Sequence, residues 1–392
     1  MISLDVFRGM TIAGMIIVND PGSWSHIYDP LGHASWHGVT PTDFVFPFFL
    51  FIVGVSIVLA YQRKLDENAP QGDLIKKILK RSALIFGWGV LLWLWPNFDW
   101  AGIRIPGVLQ RIALVFLVCS ILFLKTDWKT QAWIGAGLLV GYWLMMALIP
   151  VPIDEVIRQA IATGEVKTSH GMEAIGSISQ LSDSFIAANL EKGTNLQAWM
   201  DRLIIPGRLY QYTWDPEGVL STLPSIGTGI TGMMAGTLLV SKLERDKKMI
   251  WLMVGGFLAM VMGNVWDWFF PFNKNLWTSS YVMYTSGLAT MTLGAMYWFV
   301  DVIQWDKWTY PFKVFGANAI TAYILHSALV FLFFIKFGAE GSQWSLVSAF
   351  MSGLQAIGFS AKLASLAWAL TYTAIIYLPV WILYRRKIFI KI

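Results

Sequence analysis

Cysteine is nearly absent from this sequence. Cys119 is the only one in 392 residues and sits inside an apolar run, so an intrachain disulfide is excluded and compartment cannot be read from cysteine. Charge is also scarce: Asp, Glu, Lys and Arg make up 14% of the residues, against roughly a quarter in a soluble chain. The net charge is +5. No basic stripe carries an RNA- or DNA-binding motif, so nucleic acid is excluded as the expected partner, and the surplus of base suits cytoplasmic loops instead. With no cysteine ligands and no helical H-x-x-x-H pair, no metal site is expected. No internal repeat or low-complexity segment interrupts the chain, and one membrane domain over 1–392 is the expectation.

What the sequence has is hydrophobicity. Apolar residues make up 56% and aromatics 15%, and mean hydropathy is +0.56. A bilayer core needs about 20 apolar residues per helix, and such runs recur throughout. The expected fold is an all-α polytopic membrane protein of about ten transmembrane helices. They fall at Ile2–Asn19, Thr42–Tyr61, Leu79–Trp95, Ile105–Leu124, Ala132–Ile149, Ser221–Val240, Ile250–Phe269, Ser280–Val300, Val314–Ile335 and Leu363–Tyr384. Trp344–Phe359 is apolar but short and rich in Ser and Gly, which predicts an interfacial or re-entrant helix. The first run is expected to remain as a membrane helix, because Asp5 stands where a signal peptide carries base and no small-residue cleavage site follows.

Three basic clusters set the orientation. Arg63–Arg81, Lys242–Lys248 and Arg385–Lys391 share one side if there are ten spans, and that side is cytoplasmic. Both termini are then cytoplasmic, in what is expected to be a bacterial inner membrane. The opposite face carries two long connections. Asp20–Pro41 has no Lys or Arg, and 151–220 is a polar stretch far longer than ordinary loops. Long loops on one face cap sites or bind substrates.

Polar groups at membrane depth are functional candidates, and they cluster on that outer face. His26, His33 and His37 fall within twelve residues, with Trp24 and Trp36 beside them and Asp43 following. Thr40 or Thr42 can cap the second span, with Pro41 in its first turn, which puts Asp43 where the helix dipole favours a carboxylate. A histidine beside an aspartate is a ready general base; taken singly, each histidine reads as a solvated loop residue. DPEGVLSTLPS carries Glu217, placed to look into the bundle or to cap a helix. NVWDWFFPFNKNLWTSS carries Lys274, Asn275 and Thr278; its tryptophans need no explanation beyond the membrane interface, but its lone cation and amides do. Asn318, with Tyr323 and His326, lies in the ninth span, where an unwound turn after Gly316 or simple helix–helix hydrogen bonding are equal readings. Gln110 and Arg111 lie near the outer end of the fourth span, and an arginine there needs a partner or a polar cavity. Asp5 and Arg8 can pair at i, i+3 on the cytoplasmic side.

SLDVFRGMTIAGMIIVND and HASWHGVTPTDFVFPFFLFIVGVS, followed in order by GVLQRIAL, DPEGVLSTLPSIGTGITG, NKNLWTSSYVMYTSGLA, FGANAITAY and ILYRRKIFIKI, resemble the heparan-α-glucosaminide N-acetyltransferase family of membrane acyltransferases across nearly the whole chain. The resemblance implies transfer of acetyl from acetyl-CoA to the amino group of a terminal glucosamine across the membrane. It implies His33 as the catalytic histidine, with Asn19 and Asp43 as its companions. The long lumenal N-terminal domain of the animal enzyme and its extra span have no counterpart in these residues, so the acceptor does not carry over. Arg8, Trp36, Arg111, Glu217, Lys274, Asn275, Thr278 and Asn318 are the expected substrate or cofactor contacts. The expected partners are an amino-sugar or glycan acceptor, the bilayer and a second copy of the chain. O-acetylation of a surface glycan and transport of a small polar substrate are the competing readings; the lack of paired broken helices weighs against transport.

Overall fold

Apolar runs cross a bilayer as helices because only helices satisfy every backbone group internally. In the computed structural model, which describes residues 1–339 and 343–390, a helix occupies each hydropathic stretch. The first five are α1 (Ile2–Asn19), α2 (Val45–Asp66), α3 (Gln71–Leu94), α4 (Val108–Lys125) and α5 (Trp128–Leu148). Residues 149–221 form a cap over one end of the bundle, holding β1 (Val151–Pro152), α6 (Glu155–Thr163), β2 (Glu165–Thr168), β3 (Gly171–Ala174), β4 (Phe185–Ile186) and α7 (Leu196–Ile204). The bundle resumes with α8 (Thr222–Val240), α9 (Arg245–Asp267), α10 (Ser279–Met296), α11 (Tyr310–Ala317), α12 (Ala319–Phe334), α13 (Leu346–Ala356) and α14 (Ala361–Arg385).

Among the described residues, seven helices are long and apolar enough to cross a membrane, or eight if the pair 279–302 and 307–317, bent by 120°, is one span. Hydropathy alone leads to about ten, and the difference from eight has two causes. The first half of α3 carries Asp73, Lys76, Lys77, Lys80 and Arg81. The ninth stretch is broken at Asn318, so α12 keeps only 16 residues. At the break, Asn318 Nδ2 donates to Ile388 O at 3.1 Å and Oδ1 accepts from Ile390 N at 3.0 Å. The C-terminal segment is thereby tied across the start of α12. Within the stretch expected to be interfacial, α13 spans 11 residues, begins at the Ser345 cap and packs on α14 and α12.

Small residues let the central helices meet backbone to backbone. A Cβ on Gly54 of α2 would overlap Gly229 O of α8, and one on Gly232 would overlap Phe51 O. These contacts fix α2, which follows directly on the turn holding Asp43, against the helix that follows the DPEG segment. By contrast α9 is little buried and presents Trp251, Phe257, Leu258 and Met262 outward, the apolar face expected of a helix against lipid.

The cap has two short antiparallel hairpin-like sheets, β1 with β4 and β2 with β3. Its core joins Ile157, Ala160, Ile186, Leu196 and Trp214 to Trp36 from the first outer loop and to Phe270 and Leu276 from the 268–278 turn. Three outer segments distant in sequence are therefore one packed unit.

Candidate active site

Asp43 sits in a short helical turn, Pro41–Phe44, ahead of α2 and is 1% exposed. Its Oδ2 accepts from Ala34 N at 3.1 Å and Thr40 N at 3.0 Å, the latter bond reaching back to the residue before the turn. Tyr281 Oη donates to Asp43 O at 2.5 Å. With one oxygen and the backbone held, Oδ1 is left to face His33 Nδ1 at 2.7 Å. The carboxylate accepts from Nδ1–H, which leaves the Nε2 lone pair as the basic site. Lys274 Nζ lies 3.6 Å from the same Oδ1 and 3.0 and 3.2 Å from the two ring nitrogens of His33. Burial lowers the pKa of the Lys274 ammonium, and the Asp43 charge offsets part of that effect.

The turn carrying Lys274 is braced from several sides. Asn273 Oδ1 accepts from Leu276 N at 2.9 Å, and Thr278 Oγ1 accepts from Asn273 N at 3.0 Å and donates to Pro271 O at 2.9 Å. Gln197 Nε2 donates to Asn275 O at 3.1 Å, and Tyr142 Oη donates to Leu276 O at 2.5 Å. Trp277 takes φ +53°, a left-handed conformation that a bulky side chain rarely adopts, and its Nε1 donates to Thr228 Oγ1 at 3.1 Å.

A second polar cluster lies beside this one. Arg104, from the connection between α3 and α4, donates to Asp215 Oδ2 at 2.8 Å and Oδ1 at 2.6 Å and also binds Glu217. Its face packs on Tyr210, 4.7 Å from the ring centroid. Burial works against the charge, but the two carboxylates outweigh it and hold the guanidinium above its ordinary pKa. Arg111 is wholly buried: Nη2 donates to Gly218 O and Ser221 Oγ, while Nε and Nη1 have no partner among the described residues. Its guanidinium carbon lies 5.3 Å from the centroid of the Trp277 ring.

Asp201 in α7 holds the backbone of the DPEG turn, its carboxylate accepting from Val219 N at 2.9 Å and Asp215 N at 3.3 Å. Burial raises its carboxyl to about 7, with the neighbouring Asp215 charge pushing the same way and the Val219 N–H opposing. A carboxyl whose folded pKa is raised loses stability as pH climbs from its unfolded value to its folded one. The cap is therefore expected to melt at a lower temperature at pH 8 than at pH 5. Asp201→Asn should flatten the part of that slope between about pH 4 and 7; thermal midpoints of wild type and variant across that range check it, and parallel slopes would remove Asp201 as the cause.

At the opposite end of the bundle, where α1 begins and α2 ends, lies a cavity of about 480 Å³. Met1, Asp5, Arg8, Tyr61 and Arg81 line its mouth, with Ile12, Phe49, Phe116 and Tyr323 deeper. Along α2 it runs from Tyr61 to Phe49, ~18 Å of helix axis, and Phe49 is only ~9 Å of axis from Asp43. Arg8 bonds Ser56 Oγ at 2.9 Å and Asp5 at 3.0 Å.

The expected site residues therefore divide. His33, Asp43 and Lys274 meet directly. Glu217 and Arg111 lie in the adjoining cluster, and Glu217 is within electrostatic reach of Lys274. Thr278 braces the Lys274 turn through its side chain, and Asn275 does so through its backbone carbonyl. Trp36 is packed in the cap core, 5.4 Å from the Trp214 ring, and donates from Nε1 to Leu190 O. Arg8 lines the distant cavity and Asn318 holds the C-terminal segment. Asn19 is exposed at the end of α1; the neighbouring Asp20 turns inward and accepts from His326 Nδ1 at 2.9 Å. Arg104 and Asp201 are absent from the sequence-based selection. The signal for Arg104 is a lone arginine in an outer connection, against the positive-inside bias; nothing local marks Asp201.

The model of the heparan-alpha-glucosaminide N-acetyltransferase catalytic family matches residues 1–159, which include His33, Asp43 and much of the cavity wall. The heparan-alpha-glucosaminide N-acetyltransferase of Homo sapiens is 31% identical over 438 aligned residues, taking in 100% of this chain and 59% of the human one. The Mus musculus protein of the same name is 30% identical over 437 residues, taking in 99% of this chain and 60% of its own. The chain thus spans about three fifths of the length of these relatives.

Proposed function

We propose, from its similarity to the heparan-α-glucosaminide N-acetyltransferases, that the chain is a membrane-embedded acetyltransferase of that family, taking acetyl from cytoplasmic acetyl-CoA and delivering it to the amino group of a glucosamine-like acceptor on the extracytoplasmic side. The observation that carries this reading is the His33–Asp43 pair at one end of the bundle, with a cavity entering from the other. Arg8 and Arg81 at the cavity mouth suit the phosphates of coenzyme A, and the apolar stretch past Ile12, Phe49 and Phe116 suits its long arm. The dyad favours chemistry over transport, since a substrate pathway needs no histidine whose tautomer is fixed by a carboxylate.

In this reading acetyl-CoA supplies the acetyl group as an activated thioester. His33 Nε2 takes the proton that the acceptor amine loses on attack, and Asp43 stabilises the imidazolium. We favour direct transfer over an acetyl-histidine intermediate. The His33 side chain is 38% exposed, so an acyl-imidazole there would meet water.

Labelled acetyl-CoA, purified protein and glucosamine test the function. The expected product is labelled N-acetylglucosamine, formed in proportion to released CoA. Label in an alkali-labile O-ester would support O-acetylation instead, and uptake of unmodified sugar without acetyl transfer would support transport. Without acceptor, stoichiometric CoA release with label kept on wild type but not on His33→Ala would replace direct transfer by the acyl-enzyme route.

The orientation is part of the same proposal. A fluorescent reporter that matures only in the cytoplasm, fused after the last residue, is expected to fluoresce. An exported phosphatase active at that position would place the C-terminus outside and invert the site.

A further inference from the structure

Among the described residues Lys274 is the one cation in contact with both members of the dyad. Its geometry says how. The in-plane partner of His33 Nδ1 is Asp43 Oδ1 at 2.7 Å. Nζ lies almost equally far from Nδ1 and Nε2, at 3.0 and 3.2 Å. An atom at both distances in the ring plane would overlap the ring carbons, so the ammonium stands over the imidazole face. The Nε2 lone pair, which points outward in the plane, stays open to an incoming group. The backbone beneath Lys274 is fixed by the Asn273, Thr278, Tyr142 and Gln197 bonds and by the left-handed Trp277. A group aimed from so constrained a turn is preorganised.

The acetyl-transfer reading, on which this inference rests, poses an electrostatic demand that the dyad alone does not meet. Attack on the thioester carbonyl creates an oxyanion, and neither His33 nor Asp43 can carry that charge. A fixed cation over the ring neutralises oxygen charge that develops beside Nε2.

We propose that Lys274 is a catalytic residue whose ammonium stabilises the oxyanion of the tetrahedral intermediate. The amine nitrogen bonds to the acetyl carbon, and the carbonyl π pair moves to oxygen, facing Nζ. The amine proton passes to His33 Nε2. Collapse restores the carbonyl and breaks the C–S bond, and the thiolate leaves with a proton returned from the imidazolium through solvent. Lys274 ends as it began. The charged and titratable groups around His33 in this account are Asp43 from the turn ahead of α2, Lys274 from the 268–278 turn, and His37, which lies 3.4 Å from the Asn273 amide on that same turn. Glu217 from the cap acts on Lys274.

Lys274→Met and Lys274→Arg in the full-length protein test this. The Met variant is expected to lose about 100- to 1000-fold in kcat, with KM for acetyl-CoA changed only a few-fold and partial recovery in the Arg variant. Acetyl-CoA hydrolysis without acceptor passes through the same kind of oxyanion and is expected to fall by a similar factor, while acetyl-CoA binding measured directly stays within a few-fold. A Met variant with raised KM and unchanged kcat would make Lys274 a binding residue only and overturn the proposal. If wild type acetylates no amine, the functional reading fails first, and hydrolysis unchanged in the Met variant then sinks the role of Lys274 independently. Should the Met variant not fold, Lys274→Gln takes its place under the same outcomes.

Discussion

His33→Ala is expected to reduce acetyl transfer by about 100- to 10,000-fold, the range a positioned general base supplies, while the protein still inserts and folds. The second half of that expectation follows from the surroundings of the ring. His33 is more than a third exposed, and among the described residues its side chain bonds Asp43 and touches Lys274. Removing it leaves Asp43 with its Ala34 and Thr40 amides and with the Lys274 ammonium close by. Asp43→Asn differs in kind. It should cost turnover by presenting the wrong group to Nδ1, and stability as well, because an amide cannot accept from His33, Ala34 and Thr40 together. Turnover with labelled acetyl-CoA, beside a thermal midpoint in the same detergent, separates the two variants. Near-normal turnover in His33→Ala would make this histidine structural and remove the dyad from the chemistry.

Arg104→Met is expected to have the largest effect on stability, about 3–5 kcal/mol, the range found when one partner of a buried ion pair is removed. Arg104 holds both oxygens of Asp215, which is wholly buried, and also Glu217. Taking the cation away strands two carboxylates next to Asp201, a third carboxyl already raised by burial. The loss should therefore grow as pH rises through about 7, where Asp201 gains its charge beside the two. A double variant, Arg104→Met with Asp215→Asn, relieves part of the stranded charge and should recover part of the loss. A single variant that melts with wild type would show that the cluster is solvated rather than buried. The pair also links the α3–α4 connection to the cap, so the defect is expected to appear first as protease sensitivity within 149–221.

Helix positions were legible because apolar runs of membrane length leave few alternatives. The count was less so. Asn318 breaks a run that hydropathy reads as continuous, since a single amide changes the window average little while its side chain ties backbone 70 residues away. The basic half of α3 lowers its hydropathy, although Leu74, Ile78 and Ile85 are buried against the bundle. At the site, the nearness of His33 and Asp43 in sequence made their pairing readable. Lys274 stood out as a lone cation among aromatics, but its contact with His33 joins positions 241 residues apart and has no local signature. Trp36 shows the converse. It neighbours the site in sequence and packs away from it, because its indole fills the cap core and satisfies its N–H on Leu190. Arg104 and Asp215 are likewise united only by the packing of the cap.

The Asn318 clamp has a practical side for anyone handling the protein. It draws Ile390 into the lining of the cavity, beside Gly316 and Ala317, so the last described residue borders the opening through which the donor would enter. A purification tag or fusion partner attached at this end is expected to crowd that doorway. It would suit a readout of which side the end lies on and distort one of turnover. Affinity handles for activity measurements belong instead in the exposed stretch around Leu181–Ser184 of the cap, at the other end of the bundle from Ile390.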